Sequence, residues 1–146
     1  MKYTVSILIN APLEKVVALW ENPAHFHQWQ DGFESITHLE GVPNTKGAKS
    51  KIVLSDKIRI ELIETIITYN LPTEKSALYE HIHMTNTQTT RFEANGNTQT
   101  RYISEVEYLK FNGFMVKLMA KFFPGKFKGQ SEKWMQQFKA FVEDTP

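Results

Sequence analysis

The clearest hydrophobic periodicity lies at the end of the chain. From Phe127 onward, Phe127, Ser131, Trp134, Phe138 and Phe141 recur at steps of four, three, four and three, with the serine as the one small member. That spacing lines one face of a helix. Before Pro124-Gly125 the apolar residues are denser: Phe114, Met115, Val116, Leu118, Met119, Phe122 and Phe123. A surface helix carries one apolar stripe, so a helix apolar on more than one side is expected to be covered. The pattern therefore predicts a long helix, broken at Pro124-Gly125, with the preceding chain wrapped around it and a pocket between. Phe114 to Phe123 is expected to form the pocket wall, and the half after Gly125 to anchor the domain.

The rest of the chain alternates with period two. Lys2 to Ile9 places Tyr3, Val5, Ile7 and Ile9 on one side, as a half-buried strand does. Asn10-Ala11-Pro12 ends it and opens a helix, with Asn10 as the expected N-cap and Leu13, Val16, Val17 and Trp20 as its stripe. Asn22-Pro23 opens a second short helix through Phe26 and Trp29. Strands are then predicted at 33–39, 47–54, 58–69, 75–84, 87–94 and 98–111, separated by turn signals such as Gly41-Val42-Pro43-Asn44, Asn70-Leu71-Pro72 and Asn95-Gly96. Consecutive strands joined by tight turns argue for an antiparallel sheet. The fold class is thus α+β in the order β-α-α-β6-α: a seven-stranded curved antiparallel sheet around a long C-terminal helix, with two short helices after the first strand.

Composition narrows the function. With 146 residues, 41% hydrophobic and 23% charged, the chain has the profile of one soluble domain over 1–146 with a sizeable core. A net charge of +1 gives no general drive toward nucleic acid. The absence of cysteine excludes disulfides, zinc–thiolate sites and thiol catalysis. No signal peptide is evident and no apolar run approaches the ~20 residues of a transmembrane helix. The expected setting is cytoplasmic, as a monomer or homodimer, with no cofactor.

The element order resembles the START-like superfamily, the helix-grip or SRPBCC proteins that include polyketide cyclases, lipid-transfer proteins and birch-pollen-allergen relatives. "SILINAPLEKVVALWENPAHFHQW" is similar to that family's first strand, Ala-Pro turn, helix and Trp-containing second helix. "GVPNTKGAKSKIVL" is similar to its Gly-bounded second hairpin, and "ETIITYNLP" to its fourth strand ending at a proline. "FPGKFKGQSEKWMQQFKAFVED" looks like the C-terminal half-helix of bacterial members. The resemblance covers essentially the whole chain. It implies a cavity between sheet and helix that holds a hydrophobic or amphipathic small molecule, and no universal catalytic signature comes with it.

Candidate chemistry is sparse. His81 and His83 share a face if they lie on a strand, but no further ligand stands near them in sequence and no metal is expected. Tyr79 and His81 are read as facing inward. His25 and His27, two apart on a helix, do not face each other and are read as surface residues. Glu61 and Glu64, three apart on a strand, fall on opposite faces and cannot form a facing acid–base pair. Glu105 and Glu107 share the face of Arg101 and are read as solvated, which leaves Tyr102, Ser104, Val106 and Tyr108 for the cavity wall. Trp29 and Phe33 either gate one mouth or seal the core. Lys117, Lys121, Lys126, Lys128, Lys133 and Lys139 decorate the last helix and its break, either as a solvated face or as an attractor for anionic lipid.

Three functions follow. The first is binding or transport of a hydrophobic or amphipathic molecule, such as a lipid or polyketide. Its expected lining is Trp29, Phe33, Tyr79, His81, Phe92, Tyr102, Tyr108, Met115, Leu118, Met119 and Phe122. The second is a cyclase or dehydratase using His81 with Tyr79 or Tyr108 as acid–base groups. The third is an interaction module of the co-chaperone activator type, which needs an exposed apolar patch on the outer sheet face.

Overall fold

The alternating segments form one sheet. The computed structural model describes residues 1–146. Its strands are β1 (Lys2–Ile9), β2 (Phe33–Glu40), β3 (Lys49–Ser55), β4 (Arg59–Asn70), β5 (Glu74–Glu80), β6 (Met84–Asn95) and β7 (Gln99–Phe111). They pair antiparallel in the order β1-β7-β6-β5-β4-β3-β2, so β1 and β2 lie at opposite edges. The chain crosses between those edges through α1 (Leu13–Glu21), a 3-10 turn (Pro23–His25) and α2 (Phe26–Trp29). After β7 come α3 (Phe114–Phe122) and α4 (Gly125–Asp144). This is the curved antiparallel sheet with a long C-terminal helix that the alternation implied.

Register decides which side chains share the concave face. Tyr3, Val5, Ile7 and Ile9 of β1 stand opposite Val106, Ser104, Tyr102 and Thr100 of β7. Tyr102 and Ser104 stand opposite Phe92 and Thr90 of β6. The Tyr-Ser-Val-Tyr face of β7 therefore looks inward as expected. Glu105 turns outward, 3.0 Å from Lys2 and 3.6 Å from Arg91.

Helix α4 covers only part of this face. Its main contacts are with β1, α2 and α1, while α1 lies on β6 and β7. Met135, Phe138 and Val142 are its buried residues, and they join Val5, Ile9, Val16, Trp20, Trp29, Phe92 and Tyr102 in one core cluster. Polar contacts fix the helix to the sheet edge. Tyr3 OH donates to the Phe127 carbonyl at 3.1 Å and lies 2.7 Å from Ser131 Oγ. Lys139 Nζ donates to the Leu8 carbonyl, and Glu143 accepts from the Asn10 backbone N–H at 2.8 Å. None of the helices' main contacts is with β3, β4 or β5. That half of the concave face is left for a cavity.

Three expectations need correction. Asn10 does not cap α1: Pro12 precedes the helix without a side-chain cap, and Asn10 Oδ1 instead accepts from Gln99 Nε2 at 2.8 Å. The fifth strand stops at Glu80, and His81, Ile82 and His83 form the turn to β6, closed by the His81 N–H on the Met84 carbonyl. His81 and His83 therefore do not share a strand face. Third, α3 is not covered. Met115 is 70% exposed and Phe122 60%, and Leu118, Met119, Phe114 and Phe123 are exposed as well. Only Val116 and Ala120 of this helix are half-buried. Gly113, with φ +99, supplies the left-handed backbone that turns α3 away after β7. Apolar density announced a need for apolar surroundings, and nothing in it required them to come from the same chain.

Candidate functional site

The uncovered half of the sheet holds a cavity of about 340 Å³. That volume lies at the lower end of the ~300–1,000 Å³ of small-molecule sites. Trp20 and Glu21 of α1, with Pro23 and Phe26, form one wall. Ile36 and His38 of β2, Ala48 just before β3, Ser50 of β3, Glu64, Ile66 and Tyr69 of β4 and Lys75 of β5 form the other. Pro43 and Asn44 border it from the β2–β3 loop. That loop sits tightly on the sheet: a Cβ on Gly41, at φ +81, would meet the Ala48 Cα at 3.0 Å. Only glycine fits there without displacing a residue of the cavity wall.

The alternation of β4 explains the site's chemistry. Ile60, Leu62, Glu64 and Ile66 point to the concave face, so a carboxylate is carried on an otherwise apolar row. Glu64 is buried. Its Oε2 accepts from Tyr79 OH at 2.7 Å and from Lys75 Nζ at 3.3 Å, and its Oε1 makes no hydrogen bond. Register supports the cluster, since Glu64 pairs with Tyr79 and Tyr69 with Lys75 across β4 and β5. The Lys75 ammonium also lies 5.4 Å from the Trp20 ring centre and 6.0 Å from that of Tyr69, where aromatic faces attract a cation. Tyr69 OH donates to Glu21 Oε2 at 2.5 Å.

Burial, followed by the Glu64 carboxylate, pushes the Tyr79 phenol well above its usual pKa. Burial and then Glu21 push Tyr69 upward too. Burial raises Tyr102 to about 12, against the opposing effect of the bond it accepts from Trp20 Nε1 at 3.2 Å. These phenols remain protonated near neutrality, and those of Tyr79 and Tyr69 serve as donors to carboxylates, not as bases. No group of three or more His, Asp or Glu side chains converges as a metal site.

The residues expected to line one pocket separate into six surroundings. Trp29, Phe92 and Tyr102 belong to the core, with Trp29 5.1 Å and Tyr102 5.4 Å from Phe138 between ring centres. Phe33 packs edge-on against Phe26 at 5.5 Å, beside the cavity wall and not in it. Tyr108 sits with Tyr3, Phe111 and Phe127 at the start of α4. Its phenol is raised by burial and then by Tyr3. Met115, Leu118, Met119 and Phe122 stand on exposed α3. Tyr79 alone touches the polar cluster, through Glu64. None of the eleven expected lining residues borders the 340 Å³ cavity itself.

His81 lies in the β5–β6 turn with its ring centre 5.9 Å from that of His83. Burial, and then the neighbouring His83, hold its pKa below the usual histidine value. The folded state therefore resists a proton that the unfolded chain accepts. Its contribution is complete above about pH 6.5, the unfolded value, and is lost as pH falls through the lowered folded one. His81→Gln is expected to flatten the decline of the urea midpoint between about pH 7 and about pH 5. An unchanged slope would show that other groups govern that limb.

Sequence reasoning missed Glu64, Lys75, Tyr69 and His38 as site residues. For Glu64 the signal was present: one carboxylate in the row Ile60, Leu62, Glu64, Ile66. Lys75 followed only from the cross-strand register.

Among curated proteins none matches the chain. Solved structures match closely in fold at low identity. The Zhui aromatase/cyclase of Streptomyces sp. R1128 superposes with a TM-score of 0.81 at 6% identity, covering 98% of this chain and 93% of its own. A conserved protein of Geobacillus kaustophilus gives 0.80 at 12% identity, covering 98% and 95%. A protein of Thermus thermophilus gives 0.78 at 15% identity, covering 97% of both chains. At such identities these likenesses speak for the fold alone. The family model for polyketide cyclase/dehydrase and lipid transport proteins matches residues 1–143, nearly the whole sequence. On that match, the chain belongs to the polyketide cyclase/dehydrase and lipid transport family.

Proposed function

We propose that the chain binds an uncharged amphipathic small molecule in the cavity between α1 and strands β2 to β5. One observation carries this reading: a largely buried Lys75–Glu64 pair, joined by Tyr79, in a wall that sets Trp20, Phe26, Ile36, Ala48 and Ile66 beside the polar Glu21, His38 and Ser50. Well-packed apolar residues replace buried ion pairs at little or no cost in stability. A charged pair facing a cavity is therefore better explained by what it offers a ligand. The Lys75 and Glu64 charges balance each other, and the other carboxylate of the lining, Glu21, is engaged by Tyr69 OH, which suits a neutral molecule. Glu64 Oε1 can accept from a hydroxyl, Lys75 can donate to a carbonyl, and the apolar wall takes the body.

The test is displacement of a neutral apolar dye such as phenylnaphthylamine, together with native mass spectrometry. Saturable dye binding is expected, weakened about tenfold or more by Ile66→Trp, which fills the cavity. Glu64→Gln should keep apolar binding and reduce the preference for an alcohol over an alkane of equal size. Failure to find any bound or bindable apolar molecule would sink the reading.

A second reading has one observation in its favour. The 2.7 Å bond between Tyr79 OH and Glu64 joins a donor to a carboxylate, as acid–base catalysis requires. A cyclase or dehydratase built on this pair would lose turnover in both Glu64→Gln and Tyr79→Phe while still binding dye. His81 and Tyr108, in other surroundings, would then contribute nothing to the pH profile.

A further inference from the structure

Helix α3 presents its apolar residues in the direction a soluble protein avoids. At 100° per residue, Phe114, Leu118, Phe122, Met115 and Met119 span one continuous arc. Val116 and Ala120, the half-buried members, lie opposite and face the body. Phe114 is 76% exposed. Phe123 continues the patch, and Ile82, 81% exposed, flanks its start, since the His83 carbonyl accepts from the Asn112 N–H at 2.7 Å.

Charge selects what covers this face. Between Asn112 and Ser131 the chain holds Lys117, Lys121, Lys126 and Lys128 and no acid, although its net charge is only +1. None of these four lysines makes an ion pair. Lys117 and Lys121 fall beside the apolar arc, at its edge. The ammonium groups of Lys121 and Lys126 lie 5.5 and 5.2 Å from the rings of Phe122 and Phe123. Lysine stems and aromatic rings at one level, with a wholly apolar face below, are the make-up of a helix that lies in a bilayer interface.

We propose that α3 docks the protein on an anionic lipid bilayer, its Phe114–Phe122 face in the headgroup and upper acyl region and its lysines on the lipid phosphates. No helix of the chain is long and apolar enough to cross a membrane, so the contact is peripheral. A second copy is a poor occupant: a symmetric pairing through this face would bring two sets of unpaired lysines together. Closure of α3 over its own sheet would need the apolar arc to rotate from the outer to the inner side. The inference does not depend on the ligand proposed for the cavity.

The test is flotation of the full chain with phosphatidylcholine vesicles, with and without a quarter of phosphatidylglycerol. Binding is expected to the anionic vesicles only, and to be lost at high salt. Each lysine near an anionic surface contributes about 1 kcal/mol, so Lys117→Gln with Lys121→Gln should weaken binding roughly 30-fold. Phe114→Ser with Phe122→Ser should abolish it. All four side chains are exposed, so far-UV circular dichroism and thermal midpoint should stay at wild-type values. Absence of vesicle binding, or binding indifferent to both double variants, would overturn the proposal. So would a dimer in sedimentation equilibrium that Phe114→Ser with Phe122→Ser dissolves, because the occupant would then be a second copy.

Discussion

Lys75→Met is expected to lower the unfolding free energy by about 3 kcal/mol, read from urea midpoints at constant m-value. The change keeps most of the side chain's volume and its stacking on Trp20, but strands the Glu64 carboxylate. At 9% side-chain exposure Glu64 has little water to replace the ammonium it loses, and Tyr79 remains its one partner. The cost falls toward the low end for a broken buried pair because the cavity borders both residues. The double variant Lys75→Met with Glu64→Leu should recover much of the loss, since no charge is then left unpaired. A single variant as stable as wild type would show that the pair is effectively solvated. A double variant that loses more than the single one would show that Glu64 supports the fold in some other way.

Phe138→Ala is expected to cost about 3–5 kcal/mol, enough to leave a marginal domain largely unfolded at physiological temperature. Phe138 is 0% exposed, and its ring touches both Trp29 and Tyr102. It is the point where α4, α2 and β7 meet, so none of the three elements can collapse into the space without losing its other contacts. Phe122→Ala, a chemically identical truncation on α3, should cost almost nothing, because that side chain is 60% exposed. Equal effects at the two positions would contradict the division of the C-terminal helices into a buried anchor and an exposed arm.

That division shows how far the pattern of residues reaches. The four-three spacing after Phe127 came close to the face that docks: Phe138 is buried and Trp134 and Phe141 pack against the core, but the deepest positions include Met135 and Val142, which that spacing left out. The same logic placed β7 correctly: Tyr102, Ser104, Val106 and Tyr108 inward and Glu105 outward. It erred where a local period was extended past its end. His81 and His83 read as strand residues, yet the hairpin turns at that point without glycine, proline or an Asn-Gly pair to announce it. Asn10 had a good capping side chain, and Gln99, distant in sequence, took its oxygen instead.

By itself the sequence determined the element order, the antiparallel sheet and, to within a neighbouring row of residues, the docking helix face, all of which rest on periodicity and turn chemistry, which are local. The family came separately, from the resemblance of whole segments. The candidate site was decided by the tertiary structure. Glu64, Tyr79 and Lys75 meet only because β4 and β5 pair in one register, and a slip of one residue would turn each of them to the other face. The cavity exists because α4 lies along β1 and leaves β3 to β5 uncovered. The apolar residues of α3, equally prominent in the sequence, ended outside because what a hydrophobic surface requires is removal from water. The chain does not determine whether its own sheet or another surface provides it.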